Sequence, residues 1–140
     1  MESIAMTKSA AGPIIVIGLL FGLGALSAQG QSELIYSSNF ELEFTIGKAS
    51  YSVQNHARVR DGSAIPIELG NYRVEIGITE TTLGHYQVDL RVLEKSKDSW
   101  LEMNLDGTSF SGDDSVPVEF EWNDADIGIN LAFVASGARQ

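Results

Sequence analysis

The histidines and one serine-containing segment are the first residues to examine for catalysis or metal binding. His56 and His85 lie near the starts of two separate predicted strands, and their spacing does not bring them beside a shared carboxylate, as a metal site requires. Residues 107–112 read GTSFSG, which misses the nucleophile pattern G-x-S-x-G by one residue and precedes no predicted helix. We therefore interpret the histidines as half-exposed side chains beside turns, and Ser109 and Ser111 as loop residues.

An excess of carboxylates in the last third of the chain is the strongest local anomaly. The chain has 19 acidic and 9 basic residues, yet residues 98–126 contain no lysine or arginine. The acidic residues of this segment are Asp98, Glu102, Asp106, Asp113, Asp114, Glu119, Glu121, Asp124 and Asp126. The pattern is typical of a solvated rim, of a docking face for a basic partner, or of a calcium site. The calcium interpretation would use the oxygen ligands of Asn104, Asp106, Asp113 and Asp114.

Two further carboxylate pairs have the spacing of neighbours on one face of a strand. They are Glu41 with Glu43 and Glu119 with Glu121, and we interpret both as solvent-facing. The alternative is that the fold gathers carboxylates of this kind into the acid and base of a hydrolase. The sequence itself assigns no catalytic residue, no cofactor-binding residue and no metal ligand.

The two tryptophans have different predicted environments. Trp122 has the same parity as Val118 and Phe120, which predicts a place in the core. Trp100 has the parity opposite to a second apolar set, formed by Leu101, Met103 and Leu105. If that set points inward, Trp100 points outward, as it would in a binding surface or in the packing of an edge strand.

The elements that must position these side chains are β-strands. Apolar and polar residues alternate with a period of two, which predicts antiparallel strands with one buried face. The alternating segments are residues 40–46, 65–69, 72–78, 86–92, 116–122 and 127–133. About eight strands fit the spacing of these segments. We predict an all-β domain, an antiparallel β-sandwich or flattened barrel, behind an N-terminal signal helix.

Turn residues and prolines refine this prediction. Asp61-Gly62-Ser63 predicts a hairpin between residues 56–60 and 64–69, and residues 106–115 are predicted to form a loop. The long alternating runs on either side of residues 81–84 are expected to pair directly. Because proline cannot donate to a ladder, Pro66 and Pro117 are expected on edge strands or at strand starts.

Residues 1–30 predict an export signal in front of the domain. There is no charged residue between Lys8 and Glu33, and the apolar run over residues 14–26 has the length of a signal-peptide hydrophobic region. Small residues follow this run and offer cleavage sites. We expect a signal peptide over residues 1–30 and a single β-sandwich domain over residues 31–140. The alternative is an uncleaved membrane anchor, for which the run is short.

Composition excludes several classes of function. The chain has no cysteine, which excludes disulfides, thiol nucleophiles, iron–sulfur clusters and cysteine zinc sites. Its formal charge of −10 argues against nucleic acid as a partner, because phosphate binding needs a clustered positive surface. A length of 140 residues allows one ordinary globular domain.

Two adjacent segments carry a resemblance to known proteins. Residues 59–67 read VRDGSAIPI and residues 69–76 read LGNYRVEI. This arrangement of a glycine turn and strands resembles a pattern in small exported bacterial β-proteins of uncharacterised role. The resemblance implies an envelope location and an all-β fold, and it implies no functional site.

These observations favour an exported, non-enzymatic interaction module of the cell envelope, either periplasmic or secreted. The expected partner is another envelope or secreted protein, and membrane contact is expected only through an uncleaved N-terminal segment. No cofactor is expected, with calcium as the exception left open. Two alternatives remain, a carboxylate-based hydrolase and a structural subunit that assembles by edge-strand pairing.

Export predicts a processed N-terminus. Mass spectrometry of protein purified from its natural host should find a new N-terminus between Ala28 and Gln31, where the small residues follow the apolar run. Recovery of an intact first segment in the membrane fraction would instead support the anchored alternative.

Overall fold

The computed structural model describes residues 5–8, 15–16 and 33–140, and these residues form two antiparallel sheets. The strands are β1 (Ala5–Lys8), β2 (Ile15–Val16), β3 (Leu34–Ile46), β4 (Ala49–Arg60), β5 (Ala64–Leu69), β6 (Tyr72–Thr82), β7 (His85–Ser96), β8 (Ser99–Glu102), β9 (Ser109–Asp113), β10 (Val118–Asp124) and β11 (Ile127–Arg139). The all-β prediction is therefore confirmed. Over the same residues, no helix of the length and apolarity needed to cross a bilayer is found.

The two sheets differ in strand order. Sheet A has the order β1-β4-β3-β11-β10, and sheet B has the order β2-β5-β6-β7-β8, with β9 also paired to β7. β8 and β9 share one side of β7, since β8 pairs with its end and β9 with its beginning. In sheet A the first long strand and the last one are neighbours, because β3 pairs with β11 along thirteen residues.

The core lies between the two sheets and is built from the inward-facing half of each alternating strand. The largest fully buried side chains are Tyr86, Phe44, Leu42, Ile67, Leu69, Ile76, Ile78, Ile129, Leu131, Val53 and Val74. They come from both sheets, and aromatic rings join the layers: Tyr86 of sheet B lies 5.7 Å from Tyr36 and 6.1 Å from Phe133 of sheet A. The two antiparallel sheets thus share one core in a sandwich-like, all-β arrangement.

Several local predictions are confirmed. β6 and β7 pair directly, as the two long alternating runs indicated. Pro66 lies in β5, which has only the two-residue β2 on its outer side, and Pro117 immediately precedes β10, at the edge of sheet A. Both prolines therefore occupy positions where a missing N–H costs no ladder bond within a central strand.

Two local predictions are wrong. Asp61-Gly62-Ser63 does not close a hairpin, because β4 belongs to sheet A and β5 to sheet B. The turn instead packs against β6, where the Gly62 N–H donates to the Ile78 carbonyl at 2.8 Å. The predicted loop over residues 106–115 contains β9, whose single large apolar residue, Phe110, leaves no alternating pattern to detect.

The expected signal segment, residues 1–30, lies largely outside the described residues. Its described parts are β1 and β2, which add to opposite sheets. β1 pairs with β4 at residues 51–54, and β2 pairs with β5 at Ile67 and Glu68.

Gly112 of β9 permits a close approach to the core. A Cβ atom at this position would lie 2.5 Å from the ring of Tyr86, which is 1% exposed. The Tyr86 hydroxyl is buried and has no hydrogen-bond partner among the described residues. The ring thus fills the space that a side chain on β9 would need.

Gly112→Ala should lower the free energy of unfolding by about 2 kcal/mol, because the added methyl group overpacks the core. Urea denaturation would measure the change, with Ser111→Ala, an exposed neighbour, as a control within about 0.5 kcal/mol of wild type. Tyr86→Phe should be neutral or stabilising, since it removes an unsatisfied buried hydroxyl. A stable Gly112→Ala variant would contradict this packing.

Candidate functional site

The outer face of sheet B is covered by its own ion pairs. Arg73 of β6 lies 3.0 Å from Glu68 of β5. Arg91 of β7 lies 2.9 Å from Glu75 of β6 and 3.1 Å from Glu102 of β8. Positive and negative charges therefore alternate across four strands, and this face offers little net charge to a partner.

Trp100 lies on this same face, as its parity predicted. The Arg73 guanidinium stacks 4.6 Å from the centre of its ring, and the Lys95 ammonium lies 5.9 Å away. The prediction that Leu101, Met103 and Leu105 point inward is only partly right. Met103 and Leu105 pack against the core, whereas Leu101 is 56% exposed. Trp100 is covered by cations of its own chain, so it does not form a bare aromatic platform.

The outer face of sheet A has a different character. Glu41 and Glu43 project from β3, and Glu119 and Glu121 project from β10; all are exposed, as predicted. The strand between them is β11, and we call these four glutamates with the β11 residues between them the glutamate trough. Sequence separation hides this arrangement, because the two pairs come from opposite ends of the domain.

The strand register arranges the trough in two rows. Ala132 of β11 is the pairing partner of both Glu41 and Glu119. In the next row, the corresponding positions are Glu43, Asn130 and Glu121. The two glutamate strands stand about 10 Å apart, and successive glutamates along one strand about 7 Å apart.

The trough is concave because its walls and floor have side chains of different length. Long glutamates stand on either side of Ala132 and Asn130, and the depression between them has a volume of about 650 Å³. Ser52 and Gln54 of β4 extend its rim beyond β3. Such a trough admits a chain laid along β11.

The charge of the trough is not neutralised by residues 33–140. Within this range none of its glutamates forms an ion pair. One of them is a hydrogen-bond acceptor, since Gln54 Nε2 donates to Glu41 Oε2 at 2.8 Å. A distance of about 10 Å across the trough is too wide for one cation to bridge, whereas cations spaced along an extended chain can meet both rows.

The acidic segment of residues 98–126 does not form a single face. Asp98 and Asp126 lie in the turns that follow β7 and β10, and Glu102 belongs to the ion pairs of sheet B. Asp113 and Asp114 lie at the end of β9. Of the segment, Glu119 and Glu121 alone enter the trough.

The four residues of the calcium interpretation are also separated. Asp106 precedes β9 and Asp113 ends it, so a five-residue strand of about 13 Å lies between them. Asp113 Oδ1 lies 2.6 Å from Nδ1 of His85, and Asp114 Oδ1 accepts the Gly137 N–H at 2.7 Å. In the described parts of the chain, no group of three or more acidic, histidine or cysteine side chains is placed to hold a metal ion.

The remaining candidates lie in ordinary structural positions. His56 is on β4 of sheet A and His85 on β7 of sheet B. Ser109 and Ser111 belong to β9 rather than to a loop, and the Ser109 hydroxyl donates to Asp89 Oδ1 of β7. The structure therefore places His85 and both serines on the β7–β9 ladder, where His85 pairs with Asp113, Ser111 with Gln87 and Ser109 with Asp89. His56 lies on the other sheet.

Two tyrosines at one end of the sandwich have perturbed acidity. Burial, together with the nearby carboxylates of Asp61, Glu80 and Asp114, raises the pKa of Tyr36 to about 12. Burial also raises the pKa of Tyr86. Both rings line a cavity of about 200 Å³ whose carboxylates are already engaged, for example Glu80 with Arg139 at 2.7 Å.

Comparison of the chain with protein-family models, with curated proteins and with solved structures found no match in any of the three. The functional argument therefore rests on the geometry of the chain itself.

The raised pKa of Tyr36 predicts a loss of stability in alkali. The folded state holds the phenol proton up to about pH 12 and the unfolded state up to about pH 10. The stabilisation is therefore complete below pH 10 and is lost as pH rises through 12. Tyr36→Phe should flatten this decline, measured by urea denaturation across that range. An unchanged slope in the variant would contradict the assignment.

Proposed function

We propose that the protein is an exported, non-enzymatic interaction module of the cell envelope, periplasmic or secreted. Its partner is another envelope or secreted protein, and its binding surface is the glutamate trough. The proposed ligand is a basic segment of that partner in extended conformation, laid along β11. The observation that carries the proposal is the convergence of four exposed glutamates from β3 and β10 on one concave surface.

The spacing of the trough supports an extended ligand. Side chains on one face of an extended chain repeat about every 7 Å, which is also the repeat of the glutamates along β3 and β10. Lysines or arginines at every second position would therefore meet a carboxylate at each step. Exposed charge pairs of this kind contribute to association rate and selectivity more than to affinity.

The contrast between the two outer faces supports the choice of surface. Sheet B neutralises its glutamates with Arg73 and Arg91, whereas the corresponding glutamates of sheet A have no arginine of residues 33–140 beside them. A carboxylate face of this kind attracts cationic partners at long range. Four of the 19 acidic residues of the chain thus stand together on a surface that a partner can reach.

Binding is supported better than hydrolysis. A carboxyl group that acts as a general acid near neutral pH needs a buried, water-poor environment to stay protonated. The four glutamates of the trough are exposed on an open face. Their arrangement suits the binding of cations rather than proton transfer.

The proposal can be tested with a synthetic peptide of alternating lysine and threonine, with an alternating glutamate–threonine peptide as the negative probe. Calorimetry should detect binding of the basic peptide at low ionic strength, weakened about tenfold at physiological ionic strength by screening. Neutralising the trough should abolish this binding; the variant combines Glu41→Gln, Glu43→Gln, Glu119→Gln and Glu121→Gln.

A matched control changes the net charge equally at exposed positions outside the trough, and it combines Glu94→Gln, Asp98→Asn, Asp106→Asn and Asp126→Asn. This control should retain most of the affinity for the basic peptide. Equal losses in both variants would mean that the peptide responds only to net charge, and the trough would then not be the binding surface.

A further inference from the structure

β4 is the edge of sheet A apart from the short strand β1, and its free backbone groups can be identified. The two-residue turn between β3 and β4 has a positive φ only at Gly47, the form in which Ile46 and Ala49 are a hydrogen-bonded pair. Hydrogen-bonded pairs recur at every second residue of an antiparallel ladder, so the backbone groups of the odd-numbered residues of β4 form hydrogen bonds with β3. The Asp61 N–H, which donates to the Leu34 carbonyl at 3.0 Å, continues the same alternation. The even-numbered residues therefore point their N–H and C=O groups toward the open edge.

Asn55 is an anomaly in the inner face of this edge strand. It has the parity of Val53 and Ala57 and is 7% exposed. Neither Oδ1 nor Nδ2 of its amide has a hydrogen-bond partner among the described residues. An unsatisfied buried amide is costly, and it is satisfied most simply by a second amide, which offers both a donor and an acceptor.

The outer face of β4 has its own unmatched charge. Arg58 is exposed and forms no ion pair with any residue of the 33–140 range. At the other end of the strand, Ser52 stands directly beside Glu43 of β3. The strand thus has a cation near one end and a short side chain in front of a carboxylate near the other.

One antiparallel register satisfies both anomalies together. If two β4 strands pair around a two-fold axis at Asn55, the two asparagine amides face each other on the inner side. In that register, Arg58 of one copy stands opposite Ser52 of the other. Behind that Ser52, β3 of the same copy lies about 10 Å from Arg58 and has Glu43, which an arginine can reach across a serine.

We propose that β4 pairs with β4 of a second copy in this register, with Asn55 facing Asn55 and Arg58 facing Glu43 across Ser52. Sheet A then continues through the two-fold axis into the second molecule. A shift by two residues in either direction loses the amide pair, because Asn55 then stands opposite Val53 or Ala57. One of these shifts also places Arg60 opposite Lys48. The buried amide therefore selects this alignment, and the surface charges are compatible with it.

This pairing requires β1 to leave the edge, because β1 occupies residues 51–54 of β4. β1 lies within the segment that the proposed export would remove, so the inference rests on the proposed function at this point. The dependence can be separated experimentally. In the full chain, Ala5→Pro with Thr7→Pro removes the two N–H groups that β1 directs at β4, and it frees the edge without any cleavage.

Sedimentation velocity over a range of protein concentrations tests the pairing on the processed protein and on the full chain with the two prolines. Both should form dimers, and the unmodified full chain should remain a monomer. Arg58→Glu should weaken dimerisation at least about tenfold by placing like charges together. Glu43→Arg should do the same, and the double variant should restore the dimer, since the charges are exchanged in both copies. Lys48→Glu, on the adjoining turn, is the matched control and should leave the dimer unchanged.

Asn55→Leu provides an independent test, because the stability of the dimer and that of the monomer should change in opposite directions. It should weaken the dimer by removing the amide pair, and it should raise the melting temperature of the monomer by removing two unsatisfied groups. A monomer at all concentrations in both edge-free forms would overturn the proposal. So would a dimer that Arg58→Glu leaves intact, or one that the double variant fails to restore. If the proline variant formed a dimer and the processed protein did not, the pairing through β4 would be supported. The proposed cleavage of the N-terminal segment would then be contradicted as the step that frees the edge.

Discussion

The pairing of β3 with β11 is the constraint on which the rest of the structure depends. It joins the first long strand of the domain to the last along thirteen residues, in the middle of sheet A. β4 and β10 are attached to the outer sides of this pair. The inward-facing residues of β3 and β11, such as Phe44 and Ile129, form one wall of the core. The outward-facing residues of the same strands determine which surface groups become neighbours.

The two faces of the sandwich show how similar charges acquire different roles. On sheet B, glutamates alternate with Arg73 and Arg91 across neighbouring strands, and the charges are used within the molecule. On sheet A, β11 separates two glutamate strands with the neutral residues Asn130 and Ala132. Repulsion between the glutamates of β3 and those of β10 is reduced by the separation of about 10 Å between the two strands and by solvent. The face therefore tolerates a charge that no residue of the 33–140 range neutralises.

Periodicity alone predicts most strands and the facing of their side chains, because an alternating strand has one face in the core and one in solvent. Glu41, Glu43, Glu119 and Glu121 are assigned to solvent in this way. The alternating pattern does not determine the order of the strands in a sheet. It therefore cannot predict that the two glutamate pairs lie on either side of β11. β9 is not predicted for a different reason. It is held by backbone hydrogen bonds to β7 and has one large apolar residue, Phe110, so it has no alternating pattern. The hairpin predicted at Gly62 is wrong because the residues of the turn suit a hairpin, whereas β5 pairs in the other sheet.

The position of β11 also determines when the domain can fold. Its partner β3 begins at Leu34, and β11 ends at Arg139, so the central ladder closes residues 34–139 into one loop. Structures with so many distant contacts fold slowly, since loop-closure entropy must be overcome before the contacts form. Without β11, β3 has no partner on one side and β10 has no neighbour in sheet A. The β3–β11 ladder is therefore expected to close later than the hairpins β3–β4 and β6–β7, whose strands are neighbours in the sequence.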